Sequence, residues 1–270
     1  SRICTLQRHI PAPLFRHSFH IDTIPASFEV TICGLGVYEL FVNGKRITKG
    51  YLAPYRSNPN HFVYYDHYDI TPYLDAGENV VGIALGNGIM SSEMPVWGAD
   101  KYPWRSAPCF AFAAEADGKF LFDGSVFVTH GSEVTFNDWH CTESIDARLA
   151  IKNWNDTGFD DSSWEKVSPA CEPSGEKKLC TAEPVKEYDR RKPVKMWQGE
   201  RGFIFDFGIS GAGTYHLKIK GECGQQIEVY TSDCVIEGKK ITNRNLYCWS
   251  LTDKMADKVQ HDHLTLSGKP

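Results

Sequence analysis

His261 and His263 flank Asp262, and a strand's period of two sets both imidazoles on one face, the spacing of a metal pair. No Cys, Asp or Glu at a familiar sequence distance completes a ligand set, so no metal is assigned there. The segment Asn153-Trp-Asn155-Asp156-Thr157-Gly158-Phe159-Asp160-Asp161 gathers oxygen ligands around a glycine turn, as a calcium loop does. Its closing acid, Glu165, falls at the thirteenth position where that geometry needs the twelfth. A turn held by side-chain-to-backbone hydrogen bonds is expected instead.

Gly34-x-Gly36 and Gly208-x-x-Gly211-x-Gly213 have the look of phosphate loops, yet each leads into a strand, and phosphate is held at the start of a helix. Both are expected as tight turns. Neither H-E-x-x-H nor G-x-S-x-G occurs. Glycoside cleavage needs two carboxyl groups about 5–9.5 Å apart across one bond. Asp66, Asp69, Asp100, Glu143 and Asp146 are read as surface or turn residues, and no catalytic residue is assigned.

Bulk properties narrow the field further. The 29 Lys and Arg against 34 Asp and Glu leave a net charge of −5, which argues against nucleic acid as a partner. Arg190-Arg191-Lys192, beside Pro193, reads as a solvated linker. No apolar run is long enough for a membrane helix, so no membrane partner is expected. The nine Cys form no C-x-x-C pair and are odd in number; free, mostly buried thiols of a cytoplasmic chain are expected. Seven Trp and twelve Tyr supply flat faces of the kind on which sugar rings rest.

The elements that must carry these residues are strands. Phe28, Val30 and Ile32 alternate with Glu29, Thr31 and Cys33; Tyr215, Leu217 and Ile219 alternate with His216, Lys218 and Lys220; Ile227 and Val229 alternate with Gln226 and Glu228. Asn43-Gly44 and Asp117-Gly118 divide such runs as type I′ hairpin turns, whose central residues take positive φ. Thr71-Pro72 offers a helix start that Gly77 ends after about one turn. The fold class is therefore all-β, two antiparallel, jelly-roll-like β-sandwiches. The first spans residues 1–170, a linker 171–185, and the second 186–270, whose five or so strands make an incomplete sandwich.

Gly34-Leu-Gly-Val-Tyr-Glu-Leu-Phe-Val-Asn-Gly-Lys-Arg-Ile47, then Tyr51-Leu-Ala-Pro54, Tyr65-Asp-His-Tyr-Asp-Ile-Thr-Pro-Tyr-Leu74 and Glu78-Asn-Val-Val-Gly-Ile-Ala-Leu-Gly-Asn-Gly88 follow one another. In that order they closely resemble the N-terminal, galactose-binding-like domain of bacterial α-L-rhamnosidases. Asp146-Ala-Arg148, Trp154 and Phe159-Asp-Asp-Ser-Ser-Trp164 resemble its closing segment. Phe205-Asp-Phe-Gly208 with Gly211-Ala-Gly213 and Tyr215–Lys220 is similar to the next sandwich of the same enzymes. The resemblance implies the front end of an inverting hydrolase that removes terminal α-L-rhamnose from glycosides. Its carboxylates would stand on a downstream (α/α)6 barrel, whose Cys-Pro-x-Arg-Asp-Glu type motif has no match here. The expected partners are rhamnose-containing glycosides and that barrel, and the segment alone is expected to be inactive.

In some relatives the first sandwich also binds rhamnose with calcium, aided by acidic or amide side chains just before the Leu-Ala-Pro turn. Here Thr48-Lys49-Gly50 stand at that place, so neither calcium nor another cofactor is expected. For a sugar site the candidates are Tyr51, Tyr55, Asn87, Trp97 and Trp104. Their aromatics fall in loops and would stack on apolar sugar faces while Asn87 fixed hydroxyls; packing against a neighbouring domain explains the same positions. A rhamnose-recognising carbohydrate-binding module and a structural or oligomerising sandwich are the competing functions.

Overall fold

The structure, a computed structural model, describes residues 11–88, 106–138, 142–241 and 260–269. Its strands, in chain order, begin with β1 (Pro13–Ile21), β2 (Phe28–Leu35), β3 (Val37–Val42), β4 (Lys45–Arg46), β5 (Phe62–Asp69) and β6 (Gly77–Gly86). There follow β7 (Cys109–Ala116), β8 (Lys119–Asp123), β9 (Val128–Gly131), β10 (Val134–Asn137), β11 (Glu143–Asp146), β12 (Glu165–Lys166) and β13 (Glu176–Leu179). The last are β14 (Lys195–Gln198), β15 (Phe203–Asp206), β16 (Gln226–Tyr230), β17 (Val235–Ile236), β18 (Lys240–Ile241) and β19 (His261–Thr265).

A six-stranded sheet, β12-β9-β1-β6-β3-β4, faces a five-stranded one, β13-β5-β2-β7-β8. The period-two pattern builds both. Phe28, Val30 and Ile32 from β2 and Tyr38, Leu40 and Val42 from β3 point inward and are buried, together with Val81, Ile83, Leu85, Phe112 and Phe127. The two expected hairpins close as their turn residues require: Asn43 and Gly44 take φ 47° and 77°, Asp117 and Gly118 take 49° and 72°. The first locks the register Val42↔Lys45, the second Ala116↔Lys119.

The helix start at Thr71 becomes one 3-10 turn, Thr71–Tyr73, with Ile70 at its cap position. Thr71 is drawn elsewhere: its Oγ1 accepts from Phe28 N at 2.7 Å, while its own N–H donates to Asp69 Oδ1 at 3.0 Å. Gly34 and Gly36 are close-approach positions. A Cβ on Gly34 would lie 2.8 Å from the Tyr38 ring, and one on Gly36, at φ 147°, 2.3 Å from the Gly86 carbonyl.

Two late segments join sheets begun early in the chain. β13, within the expected linker, pairs in parallel with β5, and β19 pairs in parallel with β11 and antiparallel with β16. The resulting sheet β10-β11-β19-β16 draws strands from both sides of that segment. These two parallel ladders stand among pairings that are otherwise antiparallel. A strand arriving by a long connection is free to enter an open edge in either direction, whereas a hairpin is not.

Tyr215–Lys220 alternates in sequence but lies in no ladder and is mostly exposed, because no described strand runs beside it. The six described cysteines are free; none is fully buried, and Cys171 and Cys223 are exposed, which corrects the expectation of mostly buried thiols. Burial does push the Cys33 thiol up to about 11, far from the reactive range.

Candidate functional site

The loop after β4 forms one wall of a groove of about 300 Å³. Tyr51, Leu52, Pro54 and Tyr55 line it from that side, Leu35, Val37, Val63 and Tyr64 from the sheets, and Ala182, Pro184 and Val185 from the segment after β13. Backbone bonds fix both walls. Tyr38 N donates to Ala53 O at 2.7 Å, Tyr51 N to Val185 O at 2.9 Å, and Cys180 N to Tyr65 O at 2.8 Å. The Tyr55 hydroxyl donates to Glu183 O at 2.7 Å, tying one wall to the other.

Below the apolar walls lies a polar network. Asp66 is buried at 7% exposure, so it is neither the surface nor the turn residue expected. Its Oδ2 accepts from the Tyr38 hydroxyl at 2.5 Å, and the Tyr38 and Tyr68 hydroxyls lie 2.8 Å apart. Burial lifts the Asp66 carboxyl above its ordinary value, opposed by the Tyr38 hydrogen bond and the Lys49 charge. Burial likewise raises the Tyr38 phenol, which stays protonated and donates. The Lys49 ammonium donates to His67 O at 2.7 Å and sits 4.8 Å from the centre of the Tyr68 ring. At the position where the resemblance places acidic or amide side chains, a cation already stands.

Of the five sugar-site candidates, Tyr51 and Tyr55 meet on the groove, both partly open to solvent. One face of the Tyr51 ring is taken by the Arg46 guanidinium at 5.1 Å. Asn87 is fully buried; its N–H donates to Asn137 Oδ1 at 2.7 Å and its amide to Asn137 O at 2.9 Å. It faces the interior and not the groove. Trp97 and Trp104 lie outside the described residues.

The oxygen-rich segment 153–161 is a clamped turn. Arg16, 1% exposed on β1, donates to Phe159 O at 3.0 Å, to Asp156 O at 3.2 Å and to the Asp161 carboxylate. Asp160 Oδ1 accepts from Ser162 N at 3.0 Å, the local bond expected of such a turn. Sequence distance hid Arg16 as the turn's partner. It also hid Glu228, which β16 sets across from His263.

The family model for the alpha-L-rhamnosidase N-terminal domain matches residues 24–197. An alpha-L-rhamnosidase of Formosa agariphila is 29% identical over 238 residues, which cover 83% of this chain and 25% of that protein. The solved alpha-L-rhamnosidase of Dictyoglumus thermophilum superposes with a TM-score of 0.78 at 27% identity, over 96% of this chain and 28% of its own. The Streptomyces avermitilis alpha-L-rhamnosidase, solved in complex with L-rhamnose, shares the fold with a TM-score of 0.78 at 23% identity, over 97% of this chain and 25% of its own. The chain thus spans about a quarter of the length of these relatives. Since the family match runs through the facing sheets, the groove and the segment leading to β14, this chain belongs to the alpha-L-rhamnosidase N-terminal domain family.

Proposed function

We propose that this chain is the accessory N-terminal part of an α-L-rhamnosidase, framing a catalytic region that lies elsewhere in a longer polypeptide and inert toward glycosides by itself. The observation that carries this reading is the family match over residues 24–197 in a chain about a quarter as long as relatives that are named α-L-rhamnosidases. The acids support it. Asp66 is held by Tyr38, Asp69 accepts from Thr71, and Asp146 binds Arg148 through two side-chain bonds of 2.8 and 2.7 Å. Each is engaged in the fold, and among the described residues Asp66 is the one carboxylate that lines the groove.

A second support is the ribbon β14–β15. Its register sets Met196 opposite Phe205, and with Phe203 these side chains form an exposed apolar face. Such a face suits packing against another part of the same polypeptide. The test is release of nitrophenol from an α-L-rhamnoside, expected from the longer protein and absent with residues 1–270 alone. A longer protein that cleaves only another sugar would sink the reading.

The groove favours a second reading, sugar binding, because two tyrosines stand over a buried carboxylate and the Streptomyces avermitilis relative was solved with L-rhamnose. Calorimetry with L-rhamnose, with and without calcium, decides it: heat that vanishes in Tyr55→Ala supports binding at the groove, and no heat at millimolar sugar removes it. A purely oligomerising role is tested by light scattering, where only monomer over a wide concentration range counts against it.

A further inference from the structure

We propose that Glu228, His261 and His263 form a binding site for a zinc-class divalent cation on the sheet β10-β11-β19-β16. Strand period puts both histidines on one face of β19, and the antiparallel register sets Glu228 opposite His263 and Tyr230 opposite His261. All three ligand groups therefore converge on one patch. Their donor atoms lie within 4.8 Å of one another, with Glu228 Oε2 3.7 Å from His261 Nε2 and Glu228 Oε1 4.0 Å from His263 Nδ1. Ligands around a tetrahedral ion at about 2.0–2.2 Å sit roughly 3.3 Å apart. Small side-chain rotations close that difference.

At 3.7 and 4.0 Å the carboxylate lies within ion-pair range of both rings and beyond hydrogen-bond length of either. The two rings stand with centroids 4.1 Å apart, so both can reach one ion. The site is also braced. Tyr230 stacks on His261 at 3.9 Å and its hydroxyl donates to Glu228 Oε2 at 3.2 Å. On the opposite face of β19, Asp262 accepts from Glu143 N and from the Tyr215 hydroxyl, both at 2.8 Å, which fixes the strand that carries the histidines.

Two imidazoles and one carboxylate form the nitrogen and oxygen set that suits zinc and its late first-row neighbours over calcium or magnesium. Glu228 and His263 are half open to solvent, so the remaining coordination position faces outward. An ion held there would pin β16 to β19, and β19 is the strand that joins β16 to β11.

The test is titration of the 270-residue chain with zinc and with cobalt. Expected are one ion bound per chain with roughly micromolar affinity, and a cobalt spectrum of nitrogen and oxygen ligation free of thiolate charge-transfer bands. Glu228→Gln and His263→Gln, both at open positions, should keep the wild-type circular dichroism and weaken binding at least about tenfold. Zinc should raise the melting temperature of the wild type and not of either variant. Failure to bind, thiolate bands in the cobalt complex, or undiminished affinity in both folded variants would each overturn the proposal.

Discussion

Residues 11–167 and the region from 186 onward are built from strands of the same period, yet among the described residues only the first has an interior. Every buried apolar side chain among the described residues falls between Ala12 and Trp164. Among the described residues beyond Gly175, His261 alone is buried. Alternation makes one face of a strand apolar, but a second layer must arrive to bury it. The first region supplies both layers from its own sequence. The second presents the two-stranded ribbons β14–β15 and β17–β18 with apolar side chains in water, an arrangement marginal in isolation.

Substitutions can break this contrast, beginning with the largest effect. Phe28→Ala removes a ring from the middle of the core and should cost about 3–5 kcal/mol in denaturant unfolding. A loss under 1 kcal/mol would mean that the first sandwich is looser than its burial indicates. Arg16→Ala leaves the carbonyls of Asp156 and Phe159 and the Asp161 carboxylate without their donor. With Asp161 about a third exposed, roughly 2 kcal/mol should be lost, together with protection from proteolysis in 153–161.

Asp66→Asn sharpens the account of the groove floor. Because the folded carboxyl holds its proton to a higher pH than the unfolded one, the native state binds more protons across that window. Asp66 therefore lowers stability as pH rises from the ordinary carboxylate range through its raised folded value. Asparagine still accepts from Tyr38, so the variant should match the wild type in acid and exceed it at neutral pH. Equal pH profiles by chemical denaturation would contradict that. The smallest effect is expected in the second region: Phe205→Ala should change the unfolding free energy of the 270-residue chain by within about 0.5 kcal/mol. In a longer polypeptide that covers this face, the same change should cost several times more.

Local chemistry was legible where it acts locally. Asn43-Gly44, Asp117-Gly118 and the alternation of β2 and β3 could be read directly, since turn type and strand face depend on neighbouring residues. The groove was half legible: Tyr51 and Tyr55 are loop aromatics and reach it, while Asn87 in an adjoining loop turns inward to Asn137. Asp66 looked like one more surface acid because nothing beside it in sequence announces the hydroxyls of Tyr38 and Tyr68. Arg16 with Asp161, and Glu228 with the histidine pair, were hidden for the same reason. Register between distant strands brings them together, and register is a property of the assembled sheet.

The parallel ladder between β13 and β5 also sets a timetable. β5 lies at a sheet edge until β13 docks, and β13 is made more than a hundred residues later. At about 5–20 residues per second, a ribosome leaves that edge bare for on the order of 10 s, exposing an open row of backbone donors and acceptors to neighbouring chains. Once in place, β13 pairs with the backbone of Phe62, Val63, Tyr64 and Tyr65, and its exposed Glu176, Lys177 and Lys178 become the new border of the sheet. The late segment thus replaces an open sheet edge with a charged border.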